Sequence, residues 1–150
     1  MRAVIQSSLA SKVSVDQRVI GQISKGMVVL VGVCQEDGPE DVEYLVRKIS
    51  QLRIFEDAEG KTNLSLKDIE GEILSISQFT LYANTRKGNR PSFVRAADPA
   101  LAQDLYQLFN QQLVDKGHHV ETGEFGATMQ VDISNNGPMT IILDSKQKDL

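Results

Sequence analysis

One cysteine, two histidines and no tryptophan occur among the 150 residues, and each scarcity removes a class of chemistry. A single thiol builds neither a disulfide framework nor a cysteine zinc site. It is Cys34, at the end of the apolar run MVVLVGVC (27–34), with no histidine near it in sequence. It reads as a small buried hydrophobe rather than a nucleophile. His118 and His119 are adjacent, not one helical turn apart, so no metal-site spacing exists. They follow a helix end and are expected to face solvent. No apolar run approaches the ~18 residues of a membrane span. MRAVIQSS leads directly into strand-like sequence without an apolar signal-peptide core, so the expected location is cytoplasmic. Neither GxGxxG nor GxxxxGK(S/T) appears, which leaves nucleotide cofactors without support, and there is no GxSxG elbow. No cofactor is expected.

What is present has a globular balance, with 41 % hydrophobic and 24 % charged residues. A chain of this length buries roughly 70 % of its unfolded surface and folds alone. With no repeat and no linker, residues 1–150 read as one domain. The net charge of −4 argues against coating nucleic acid by bulk electrostatics. It leaves room for a local site. RKGNRPSFVR (86–95) carries Arg86, Lys87, Arg90 and Arg95 without one acidic residue, and such a run is either a solvated loop or a grip for phosphates.

The N-terminal third reads as strands: AVIQ, KVSVDQRVIGQI and GMVVLVGVCQ, punctuated by Asp16, Gly21 and Gly26. Pro39 suits a first helical turn, and Val42, Leu45, Val46, Ile49 and Leu52 share one face, which predicts a helix over 39–52. RIFEDAEGKTNLSL reads as a strand end, a turn at Glu59-Gly60 and a short strand. A second helix runs from an Asp98 cap and Pro99 to a stop at Gly117, with Ala102, Leu105, Phe109 and Leu113 as a core stripe. FGATMQVDISNNGPMTIIL predicts two strands broken at Asn135-Asn136-Gly137-Pro138.

EILSISQFTLYA (72–83) raises a question. Read as one strand, it places Leu74, Ile76, Gln78, Thr80 and Tyr82 on one face, which turns from aliphatic to polar along its length. Buried amides and hydroxyls without partners cost roughly 1–3 kcal/mol each. Either they pair inside the protein or they face a cavity that receives a polar ligand. A threonine hydroxyl is a poor nucleophile without a base. An acyl-transfer site can do without one where backbone N–H groups hold the oxyanion and the substrate assists.

SQFTL (77–81) together with NNGPMT (135–140) resembles the two signature motifs, SQxTL and NxGPxT, of the D-aminoacyl-tRNA deacylases. RIFEDAEGK (53–61), GNRPSF (88–93) and ETGEFGATMQV (121–131) also resemble the family and come in its order, so the likeness spans nearly the whole chain. It implies an α/β fold of the α+β type, with a β-rich barrel-like sheet, two main helices and a single domain assembled as a homodimer. It implies a site at the dimer interface, where Gly137-Pro138, joined by a cis peptide, enters a pocket built by the partner's Ser77–Leu81 segment. Paired carbonyls there would receive the substrate's α-amino group and exclude an L side chain, while D side chains and glycine enter. Asn135 and Met139, from the same motif, are assigned with Gly137 and Pro138 to substrate binding and chiral selection.

The catalytic group implied by the resemblance is Ser77, Gln78, Phe79 and Thr80. The backbone N–H groups of Phe79 and Thr80 would hold the ester oxyanion, and Gln78 would orient the terminal adenosine or the ester. Thr80 is the candidate nucleophile by residue type; assistance from the ribose 2′-OH is the preferred route because no base lies nearby in the motif. Arg86, Lys87 and Arg90 would contact acceptor-stem phosphates. The implied partners are aminoacyl-tRNA and a second copy of the chain, with no membrane and no DNA. Two departures stand out. Ser7 occupies the place where the family usually has an arginine that holds the Gly-Pro loop, and Thr62 a place where methionine is usual. A tRNA-end-binding module without turnover, and a deacylase of relaxed chirality acting on mischarged L-aminoacyl-tRNA, are the alternative readings.

Overall fold

The computed structural model describes residues 1–150 as three layers. The central layer is a mixed five-stranded sheet in the order β10-β1-β4-β7-β8, formed by Asn135–Asp144, Arg2–Ser8, Gly26–Gly32, Glu72–Ser77 and His119–Thr122. β1 runs antiparallel to both neighbours, whereas β4, β7 and β8 are parallel. Helices α1 (Pro39–Gln51) and α2 (Pro99–Asp115) cover one face. Alternation sends Ala3, Ile5, Met27, Val29, Val31 and Ile73 against Val42, Leu45 and Ile49 of α1 and Leu105, Phe109 and Leu113 of α2. On the other face Val28, Leu74 and Ile76 pack on Val13 and Ile23. Those two belong to a smaller sheet, β3-β2-β9, formed by Arg18–Ile23, Ser11–Val15 and Gln130–Asp132. β5 (Phe55–Glu56) and β6 (Thr62–Leu64) form a ribbon around the Glu59-Gly60 turn. No helix is long and apolar enough to cross a membrane.

The helices follow from local signals. In α1 Pro39 occupies the first turn and the Gly38 N–H donates to Asp41 Oδ2 at 2.9 Å. In α2 the Leu101 N–H donates to Asp98 Oδ1 at 3.0 Å. Gly117, at φ +94, ends it: its N–H reaches Val114 O, and the His118 N–H reaches back to Leu113 O.

Three expectations change. The five-stranded sheet does not close into a barrel, since β10 and β8 remain its edges; a second sheet laid on one face replaces closure. Gly21 lies inside β3, opposite a bulge at Val13/Ser14, rather than at a turn. The last strands break at Ile133-Ser134, and β10 runs unbroken from Asn135 through Gly137-Pro138. Pairing with β1 explains the last point. Gln6 faces Thr140 and Ser8 faces Asn135, so residues 136–139 arch out of register opposite Ser7 as an enlarged bulge while the strand continues on both sides.

Candidate active site

The strand reading of SQFTLYA fails after Ser77. β7 ends there, Gln78 turns out at φ −140, ψ 84, and Phe79–Tyr82 form a 3-10 turn. The Gln78 N–H still reaches Val31 O at 2.7 Å, so the turn is pinned to β4. Gly32 makes room for it: a Cβ there would lie 3.1 Å from Gln78 O, 3.1 Å from Leu81 Cβ and 3.3 Å from the Tyr82 ring. The alternation Leu74, Ile76, Gln78, Thr80, Tyr82 therefore stops halfway. Phe79 projects outward, and Tyr82 is buried under the Arg2 guanidinium, 5.0 Å from its ring centre.

The turn leaves two donors free. Neither the Phe79 nor the Thr80 N–H bonds within the chain, as expected for the opening residues of a helical turn. The polar side chains pair with each other: the Gln78 amide donates to the Thr80 hydroxyl. No imidazole, amine or carboxylate shares that hydroxyl, so Thr80 has no base.

Beside the turn lies a cavity of about 480 Å³. Val33, Ile76 and Ala102, all buried, line it together with Phe125, Met129 and Val131, and the more exposed Ser77, Gln78 and Phe79 form its rim, polar at the first two. Small residues (Ala97, Ala102, Gly126, Ala127) create the space. An apolar chamber with a few convergent polar groups is the ordinary form of a small-molecule site. Thr80 does not line it. The sequence reading missed Ala102, Phe125, Met129 and Val131. The α2 stripe is not core alone, and the only signal for the others was small residues interleaved with Phe125 and Met129 in EFGATMQV.

The second motif stands elsewhere. The Gly137–Pro138 peptide is cis and Gly137 has φ +123, a region that favours glycine. The Asn135 amide donates to Ser7 O and to Met139 O, both at 3.0 Å, and ties the two ends of the bulge together. The Asn135 side-chain nitrogen is thus engaged in holding the loop. Ser7 is buried and, with Glu56, Thr62, Asn136, Gly137 and Met139, lines a second cavity of about 340 Å³. Gly137 and Pro138 do not line the first cavity. Register gives the separation. β10 and β7 are three strand spacings apart, about 14 Å. Ser7, beside the bulge, is level with Met27 and Ile73, four residues or about 13 Å short of Ser77. The two motifs of one chain are therefore about 20 Å apart.

Arg86, Lys87 and Arg90 are exposed on a loop closed by paired backbone bonds between Asn84 and Ser92. Arg95, from the same basic run, lies 5.7 Å from the Tyr82 ring centre. Cys34 is buried, and burial pushes its thiol above the usual range. Solvent exposure holds for His119, which faces Glu72 and Glu121, but not for His118. The latter is 7 % exposed, with Nε2 3.1 Å from Ser50 Oγ of α1. Burial, with Lys67 nearby, lowers its pKa.

Comparison with known proteins matches residues 4–144 to the D-Tyr-tRNA(Tyr) deacylase family. A solved chain titled c-Myc DNA Unwinding Element Binding Protein is 42 % identical, with TM-score 0.90 over 96 % of this chain and 98 % of that one. Another, described as "a probable eukaryotic D-amino acid tRNA deacylase", shares the fold at 17 % identity and TM-score 0.83, over 95 % of this chain and 98 % of that one.

Proposed function

Because the chain belongs to the D-Tyr-tRNA(Tyr) deacylase family, hydrolases acting on D-aminoacyl-tRNA, we propose that it cleaves the ester between a D-amino acid and the terminal ribose of tRNA at the rim of the 480 Å³ cavity. One observation carries this reading: the unpartnered Phe79 and Thr80 N–H groups beside an apolar chamber. In the reaction water adds to the ester carbonyl, the two N–H groups hold the oxyanion, and the bond to the ribose oxygen breaks as that oxygen takes up a proton of the added water, passed by way of the vicinal 2′-OH. The products are free amino acid and tRNA. Removing one donor of such a pair costs about 2.7–4 kcal/mol in other hydrolases. With no base on Thr80, the vicinal 2′-OH of the substrate helps activate the water, and Thr80 fixes the Gln78 amide. Gln78 in turn orients the nucleoside or the ester.

Chirality is set by a second copy of the chain. The Gly137-Pro138 loop and the Ser77–Tyr82 turn, about 20 Å apart in one chain, become one site when the loop of each protomer reaches the cavity of the other. Its backbone carbonyls receive the α-amino group and stand where an L side chain must go; a D side chain points outward, and glycine is admitted. Arg86, Lys87 and Arg90 hold acceptor-stem phosphates.

A second reading, deacylation with relaxed chirality, is favoured by Ser7, a short side chain beside the roughly 340 Å³ void that backs Gly137. Matched D- and L-tyrosyl-tRNA, each incubated with wild type and Thr80→Ala, separate the possibilities. Loss of the D ester alone, retained in the variant, is the expected result. Comparable loss of both esters establishes relaxed chirality. A folded dimer that binds tRNA and hydrolyses neither would leave a binding module and sink the enzyme reading.

A further inference from the structure

Phe79 and Phe93 are 54 % and 36 % exposed, and their rings meet edge to face, with centroids 5.1 Å apart and planes at 69°. Phe79 lines the cavity rim; Phe93 does not. Phe93 therefore extends an aromatic step outward from the mouth of the site. The backbone around it is held. Ser92 exchanges two hydrogen bonds with Asn84, the Gln35 N–H donates to Arg95 O at 3.2 Å, and the Ala97 N–H donates to Val33 O at 3.0 Å. A ring packed against Phe79 and held on both flanks of its backbone is a fixed platform, and fixed platforms bind with little ordering cost.

The same segment is cationic. Arg86, Lys87, Arg90 and Arg95 surround Phe93 in sequence, and no acidic residue occurs from 84 to 97. Exposed aromatics interleaved with cations form the binding surface for single-stranded nucleic acid, in which bases stack and phosphates are neutralised. Resting on the deacylase reading, we propose that Phe93, braced by Phe79, is a stacking platform for the unpaired nucleotide preceding the terminal adenosine of the tRNA. The cations of the 86–95 loop meet the phosphates that follow it toward the acceptor stem. Binding energy drawn from this neighbour would position the ester without any contact to the amino acid.

The test uses an uncharged oligoribonucleotide ending in CCA, with binding read by fluorescence anisotropy. Phe93→Ala is expected to weaken its binding at least about fivefold, and Phe93→Tyr to keep it within about twofold. In parallel, Phe93→Ala should raise KM for D-tyrosyl-tRNA and leave hydrolysis of D-tyrosyl-adenosine, which lacks the stacked base, unchanged. Wild-type binding by Phe93→Ala, or equal losses on both esters, overturns the platform. The two readings fail separately. If wild type hydrolyses the ester but Phe93→Ala binds the oligonucleotide normally, the platform falls and the deacylase stands. If wild type hydrolyses nothing while Phe93→Ala loses oligonucleotide binding, the reverse holds.

Discussion

Gly32→Ala tests whether the position of the 3-10 turn sets the rate. The added methyl would sit 3.1 Å from Gln78 O, 3.1 Å from Leu81 Cβ and 3.3 Å from Tyr82 Cδ2. Ordinary contacts of this kind fall at about 3.5–4.0 Å, so the turn must retreat by about 0.4 Å. Overpacking of this size destabilises by about 1 kcal/mol, at the low end of its usual range, a modest fraction of the 5–15 kcal/mol typical of a domain. Catalysis is more sensitive. If a misplacement of about 1 Å costs about a hundredfold, then 0.4 Å of displacement in the Phe79 and Thr80 donors lowers kcat about sixfold. The assay is steady-state deacylation of D-tyrosyl-tRNA, paired with urea denaturation of the same preparation. A drop in stability with kcat within about twofold of wild type would refute the assignment of those N–H groups to the oxyanion. A change in KM alone would move the role of the turn to binding.

Two further perturbations address the loop and the buried imidazole. Asn135→Asp removes both donations, to Ser7 O and to Met139 O, and sets a carboxylate against two carbonyls. Stability should fall by about 1–3 kcal/mol, and the ratio of kcat/KM for D- over L-tyrosyl-tRNA should narrow; an unchanged ratio in a folded variant contradicts the clamp. The lowered pKa of His118, caused first by burial and then by Lys67, makes the unfolded chain bind a proton before the folded one. Its contribution is present above the unfolded value of about 6.5 and declines as pH falls below it. Urea midpoints at pH 7.5 and 5.5 should diverge in wild type and converge in His118→Gln, and equal slopes would exclude His118 as the source.

Elements whose signals are local were legible. α1 and α2 carry their caps, prolines and apolar stripes within themselves, and both stand within a residue or two of the predicted ends. Long-range partners decided what was not. The 3-10 turn depends on Gly32, far upstream, leaving room for it to fold back on β4. The continuity of β10 through Gly137-Pro138 depends on β1 pairing on both sides of the bulge. His118 is buried because α1 brings Ser50 to it, which no reading of the adjacent residues contains. The cavity draws its walls from β7, α2 and the segment leading into β9; only its Ser77–Phe79 rim was assigned to the site from sequence, although ETGEFGATMQV also resembles the family.

The bulge at 136–139 has a consequence for how the edge strand is built. Sheet register resumes at Asn135 and Ser8 on the far side of the arch, so the arch is an insert hung from the sheet rather than one of its rungs. A substitution within 136–139 meets none of the Gln6–Thr140 or Ser8–Asn135 pairings directly. The rungs on either side and the arch between them are thus separate pieces of one strand, the first held by backbone pairing and the second by the Asn135 amide.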